Sequence, residues 1–109
     1  MNRKLFRELL ESNQSVKIIF FTGKGCVPCK NVERLVIPKI NEGFPVIRLD
    51  REIDSDLYSA LRSSKQLRGV PTLMAYKKGN TSLIPDWCVS GYNPAGIEEF
   101  FIQCSEEIC

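Results

Sequence analysis

Two cysteines stand three positions apart in Gly25-Cys26-Val27-Pro28-Cys29-Lys30. That spacing lets two sulfurs meet across one helical turn and cycle between dithiol and disulfide. It also matches half of a zinc site. The surroundings favour redox chemistry. Val16 to Phe21 is a nearly continuous apolar run of β-formers, short enough for a buried strand. Thr22-Gly23-Lys24-Gly25 then reads as a loop, and Cys26 opens a helical pattern. A helix start presents unpaired N–H groups and positive dipole potential, and both stabilise a thiolate. A free cysteine has a pKa of ~8.5, which such a position lowers towards or below neutral. Lys24 and Lys30 add positive potential.

Cys26 is therefore expected to attack, and Cys29, one turn in, to be more buried and to resolve. Pro28 fixes φ in a first turn, where no intrahelical hydrogen bond is lost. The expected reaction has two steps. The Cys26 thiolate attacks a substrate disulfide to give a mixed disulfide. Cys29 then attacks the Cys26 sulfur, frees the reduced substrate and leaves the Cys26–Cys29 disulfide. A separate reductant must restore the dithiol.

A zinc reading needs two further ligands. The chain has no histidine, so they would come from Cys88, Cys104, Cys109 or carboxylates, and no second close Cys pair exists. No metal and no cofactor are expected. The missing histidine also excludes a His general base and a Cys–His nucleophile pair.

The elements that position the pair follow from periodicity. Leu5, Phe6, Leu9 and Leu10 share one face of an amphipathic helix ending near Asn13. After the Cys26 loop, Val32, Leu35, Val36 and Ile40 recur at helical spacing. Pro38 should kink that helix or end its first part near Ile37. Phe44 to Leu49 reads as a second strand. Asp54-Ser55-Asp56 offers caps for a helix carrying Leu57, Tyr58 and Leu61. Pro71 to Tyr76 is a third strand. Lys77-Lys78-Gly79-Asn80 turns into a fourth, Ser82 to Ser90. Asn93 can cap, and Pro94 open, a last helix whose apolar stripe is Ile97, Phe100, Phe101, Cys104 and Ile108.

The order is α-β-α-β-α-β-β-α, an α/β fold with a mixed four-stranded sheet and helices on both faces. Ligands in such sheets bind beyond the carboxyl ends of parallel strands, where the Cys26 loop falls.

With 109 residues, 43% hydrophobic and 26% charged, the chain fits one compact domain spanning residues 1–109. A net charge of +2 is too mild to point to nucleic acid or an anionic membrane. Arg7 and Glu8 interrupt the N-terminal apolar residues, so a secretory leader is not expected. No apolar run approaches membrane-spanning length. A cytoplasmic monomer is the expectation. Five cysteines, odd in number and widely spread, do not read as a structural disulfide framework.

The sequence resembles the thioredoxin superfamily over nearly the whole chain, apart from the first strand of full-length members. Three motifs carry the resemblance: the strand-loop-CxxC-helix unit with Cys29-Lys30, the segment Leu67-Arg68-Gly69-Val70-Pro71-Thr72, and Gly91 before the closing helix. The resemblance implies a cis Val70–Pro71 peptide, with Pro71 beside the sulfurs and the Val70 backbone pairing with an extended substrate. Val27, Pro28, Val70, Pro71 and Gly91 are then the candidate substrate-binding residues, beside catalytic Cys26 and Cys29.

Departures from the family are specific. Gly25 replaces the usual Trp, and the motif reads CVPC rather than CGPC. Phe20 stands where the family has a buried Asp that assists the second cysteine. Arg34 stands where it has a helix-kinking proline, and Arg48 falls near its buried lysine. The Cys29 proton must then pass to water or another base.

The implied activity is protein-disulfide oxidoreduction, with a disulfide-containing protein as substrate and a thioredoxin reductase-like or glutathione system as electron donor. Two alternatives stand. One is a non-catalytic adaptor holding a partner peptide at Pro71. The other is a glutaredoxin-like, glutathione-dependent reductase, because Gly91-Tyr92-Asn93 resembles that family's glutathione-binding loop. Cys88 and Cys104 read as packed, and Cys109 as exposed. Trp87 and Tyr92 read as borders of a substrate groove or as packing residues.

Overall fold

Ile18, Ile19, Phe20 and Phe21 are all fully buried, because their strand lies inside the sheet with helices on both sides. In the computed structural model the described residues are 1–12 and 15–108, without the Ile108 side chain; Asn13, Gln14 and Cys109 lie outside them. The elements are α1 (Arg3–Glu11), β1 (Lys17–Thr22), α2 (Val27–Asn41), β2 (Val46–Asp50), α3 (Ser55–Ser63), β3 (Thr72–Tyr76), β4 (Trp87–Ser90) and α4 (Pro94–Ile108). The order across the sheet is β2-β1-β3-β4. β1 runs parallel to β2 and antiparallel to β3, and β3 runs antiparallel to β4.

The two-residue period of the central strands builds two cores. Ile18, Phe20, Leu73 and Ala75 pack with Val32 and Val36 of α2 and with Ile97, Phe100, Phe101 and Cys104 of α4. Ile19, Phe21, Met74 and Tyr76 pack with Phe6 and Leu10 of α1 and with Leu57 and Leu61 of α3. The sheet thus has a helix pair on each face, as its periodicity requires.

Several boundaries differ from the sequence reading. α2 runs through Pro38 to Asn41 without a break. Pro38 is exposed, so the carbonyl that its missing N–H leaves free faces water, while Val32 and Val36 hold the inner face. β2 starts at Val46, two residues later than expected, because Pro45 has no N–H to give.

β4 is only Trp87–Ser90. The segment before it is a loop whose polar groups are taken locally. Asn80 donates to the Ile84 carbonyl at 2.8 Å, the Tyr76 hydroxyl donates to the Leu83 carbonyl at 2.7 Å, and Pro85 cannot donate. Asp54 does not cap α3 with its side chain. Its carboxylate instead accepts from the Asp50 N–H at 2.8 Å and from the Met1 ammonium. Asn93 does accept from the Gly96 N–H at 2.9 Å, as a cap for α4 should. Among the described residues no helix is long and apolar enough to cross a membrane.

Candidate active site

β1 delivers the chain to one end of the sheet, and three loops meet there. Phe21 pairs with Thr72, and Thr72 pairs with Ser90. The residues just after β1, just before β3 and just after β4 therefore share that end. These are the segments of Cys26, Pro71 and Gly91.

The turn into α2 is made by Gly25, whose φ of +68° is one that L side chains rarely adopt. Cys26 is the N-cap of α2. Its sulfur accepts the Cys29 N–H at 3.2 Å, so the helix start solvates this sulfur directly. Cys26 and Cys29 are joined as a disulfide, with Cα atoms 5.2 Å apart. Cys29 is 1% exposed, whereas Cys26 is partly exposed. Val27, at 67% exposure, and Pro28 form the outer surface of the first turn. Cys26 is thus the more accessible residue of the pair.

The Val70–Pro71 peptide is cis. Pro71 is buried and Val70 partly exposed. Two hydrogen bonds fix this loop. The Gly91 N–H donates to the Pro71 carbonyl at 2.9 Å, and the Thr72 hydroxyl donates to the Gly69 carbonyl at 2.6 Å.

Arg51 is a site neighbour that the sequence reading did not single out. Its backbone N–H donates to the Thr22 carbonyl at 3.0 Å, and its guanidinium to the Lys24 carbonyl at 3.4 Å. A Cβ at Gly23 would stand 2.8 Å from Arg51 Nε, so glycine is what lets Arg51 lie across the loop. The only sequence signal is a basic residue directly after a parallel strand, at the end where ligands bind. Asp50, beside it, accepts from the N–H groups of Glu52 and Ile53. These bonds hold its carboxyl below the ordinary carboxylate value, helped by Lys24 and Arg51.

Arg48 is half exposed rather than buried, and it pairs with Glu33 at 2.7 Å. Phe20, opposite Arg48 in the β1–β2 register, is fully buried.

The other cysteines divide. Cys104 is buried, and burial pushes its thiol up to about 12, with Glu107 adding to the effect. Cys88 is exposed, contrary to the expectation that it packs. Trp87 and Val89 turn inward onto the α2–α4 core, so Cys88, between them on an edge strand, faces the other way. Trp87 packs, with the Lys77 ammonium 5.0 Å from its ring centre, and Tyr92 is exposed. Among the described residues no three His, Cys, Asp or Glu side chains gather as a metal site would need.

Solved thioredoxins share this architecture. The thioredoxin of Malassezia sympodialis superposes with a TM-score of 0.70 at 23% identity, covering 95% of this chain and 88% of that one. The thioredoxin of Trichomonas vaginalis gives 0.72 at 15%, covering 94% and 91%. That of Fasciola hepatica gives 0.71 at 20%, covering 92% and 90%. The chain therefore has the thioredoxin-like fold, with a close cysteine pair at the head of α2.

A glutaredoxin-like protein of Dictyostelium discoideum is 34% identical over 53 residues, 48% of this chain. That match spans about half of the relative's length, 49%. No family model matches the chain.

Proposed function

We propose that the protein is a thiol-disulfide oxidoreductase that reduces protein disulfides through Cys26 and Cys29. The observation that carries this is the asymmetry of the pair. Cys26 is partly exposed at the N-cap of α2, and Cys29 is buried one turn in and bonded to it. Exchange needs one sulfur that meets the substrate and one that does not. An adaptor would need neither sulfur.

In this reading Val27, Pro28, Val70, Pro71 and Gly91 border the surface on which an extended substrate segment lies. Residues 1–109 act as one domain, monomeric and metal-free, in the reducing cytosol. A thioredoxin reductase-like enzyme or the glutathione system supplies the electrons.

The test is a trapping experiment with a disulfide-containing protein. Cys29→Ser should accumulate a mixed disulfide through Cys26, and Cys26→Ser should accumulate none. Turnover without either cysteine would overturn the assignment.

A second reading rests on the glutaredoxin-like relative: the substrate would be a glutathione mixed disulfide. Turnover of a glutathionylated peptide, with glutathione alone as reductant, separates the two. Under that reading Cys29→Ser stays active, because glutathione itself attacks the Cys26 adduct.

A further inference from the structure

The second step of exchange needs a base. Cys29 is 1% exposed and carries a proton when Cys26 is tied up in the mixed disulfide. That proton must leave before Cys29 can attack. No histidine exists in the chain. β1 and β3 present Phe20 and Leu73 on this side of the sheet, both apolar and buried. Asp50 is committed to the N–H groups of Glu52 and Ile53, and Asp54 to the Asp50 N–H and the Met1 ammonium.

Glu33 is placed differently. It lies four residues after Cys29 on α2, so the two side chains are neighbours on one helix face, with Cβ atoms about 5–6 Å apart. Helical side chains lean towards the N-terminus, the direction in which Cys29 lies from Glu33. It is 26% exposed, and Arg48 of β2 holds its carboxylate at 2.7 Å.

We propose that Glu33 accepts the Cys29 proton in the resolving step. This rests on the exchange reading above. The Cys29 S–H gives its proton to the Glu33 carboxylate. The resulting thiolate attacks Cys26 Sγ, the Cys29–Cys26 bond forms and the Cys26–substrate bond breaks. The substrate sulfur leaves with the electron pair as a thiolate and takes that proton from Glu33, directly or relayed by water. Two electrons pass from the dithiol to the substrate, and Glu33 ends as it began.

The test uses the reduced 109-residue chain with Cys88→Ser and Cys109→Ser, mixed with an aryl disulfide that releases a coloured thiolate. Attack by Cys26 releases the first thiolate, and resolution by Cys29 releases the second. Glu33→Gln should leave the first phase unchanged and slow the second about a hundredfold, the lower end of the range for a lost general base. The second phase should also become proportional to hydroxide concentration, which a structural defect would not produce.

Arg48→Met breaks the ion pair but keeps the carboxylate, so its second phase should stay far faster than that of Glu33→Gln. A native second phase in Glu33→Gln, or equal slowing in both variants, overturns the role of Glu33. A native protein that shows no second phase overturns the exchange reading itself, and Glu33's role with it.

Discussion

Arg51 lies across Gly23 so closely that a side chain at position 23 would displace it, and from there it donates to the Lys24 carbonyl, two residues before Cys26. The contact joins the end of β2 to the loop that carries the exposed sulfur. It braces the loop and brings a cation to it. Removing the cation should make the Cys26 thiolate less favourable. An exposed charge interaction is worth about 0.2–1 kcal/mol, so Arg51→Gln should slow alkylation of reduced Cys26 at neutral pH by at most about fivefold. Gly23→Ala should do the same by pushing Arg51 aside. Rates by mass spectrometry decide it; unchanged rates in both variants would show that Arg51 only braces the loop.

The thiols of Cys26, Cys29, Cys88 and Cys104 should separate by rate. In the reduced protein Cys26 should be alkylated well before Cys29, because Cys29 is buried. Cys88 should react in the native state, and increasingly as pH rises, since partial desolvation raises its thiol. Cys104 should stay protected until the protein unfolds, its thiol being held at about 12 by burial. Peptide mapping after timed alkylation checks all of these. Early labelling of Cys104 would contradict its place in the α2–α4 core.

Much of this arrangement was legible in the sequence. The order of elements followed from periodicity. Val16–Phe21 could hardly be other than a central strand, and Cys26 had to cap the helix after it. Less legible were contacts between residues distant in sequence. Nothing in the spacing of Glu33 and Arg48 announces their ion pair, which depends on α2 packing over the β1–β2 register. The exposure of Cys88 is not legible either, because it depends on which residues of an edge strand turn inward. The late start of the fourth strand turns on Asn80, Ser82 and Pro85 competing for the same backbone groups, a local effect that alternation alone conceals.

Asp50 gives a pH dependence with a definite sign. Its folded pKa lies below the unfolded value of 3.8, chiefly through the Glu52 and Ile53 N–H groups. A carboxyl depressed by folding contributes stability that is fully present above the unfolded pKa. That stability is lost as pH falls through the folded one. Asp50→Asn should therefore melt below the native protein near neutral pH, and the gap should close in strong acid. Thermal unfolding across that range measures it. A gap independent of pH would mean that the turn depends on shape rather than charge.

Phe20 is the core residue at which a carboxylate would be hardest to accept. It is fully buried between Val32, Val36 and Leu73, and its ring fills space shared by β1, α2 and β3. Phe20→Ala should cost about 3–5 kcal/mol from lost transfer energy and the cavity left behind. Phe20→Asp should cost more, because an ionised carboxylate there has lost its water, or must bind a proton to remain buried. Its instability should accordingly ease as pH falls and the group is neutralised, whereas Phe20→Leu should stay close to native at every pH. Denaturant midpoints at neutral and mildly acid pH test this. If Phe20→Asp matched the native protein in stability at neutral pH, the pocket under α2 would have to be wet. A second base near Cys29 would then be available, and the case for Glu33 as the proton acceptor would lose its premise.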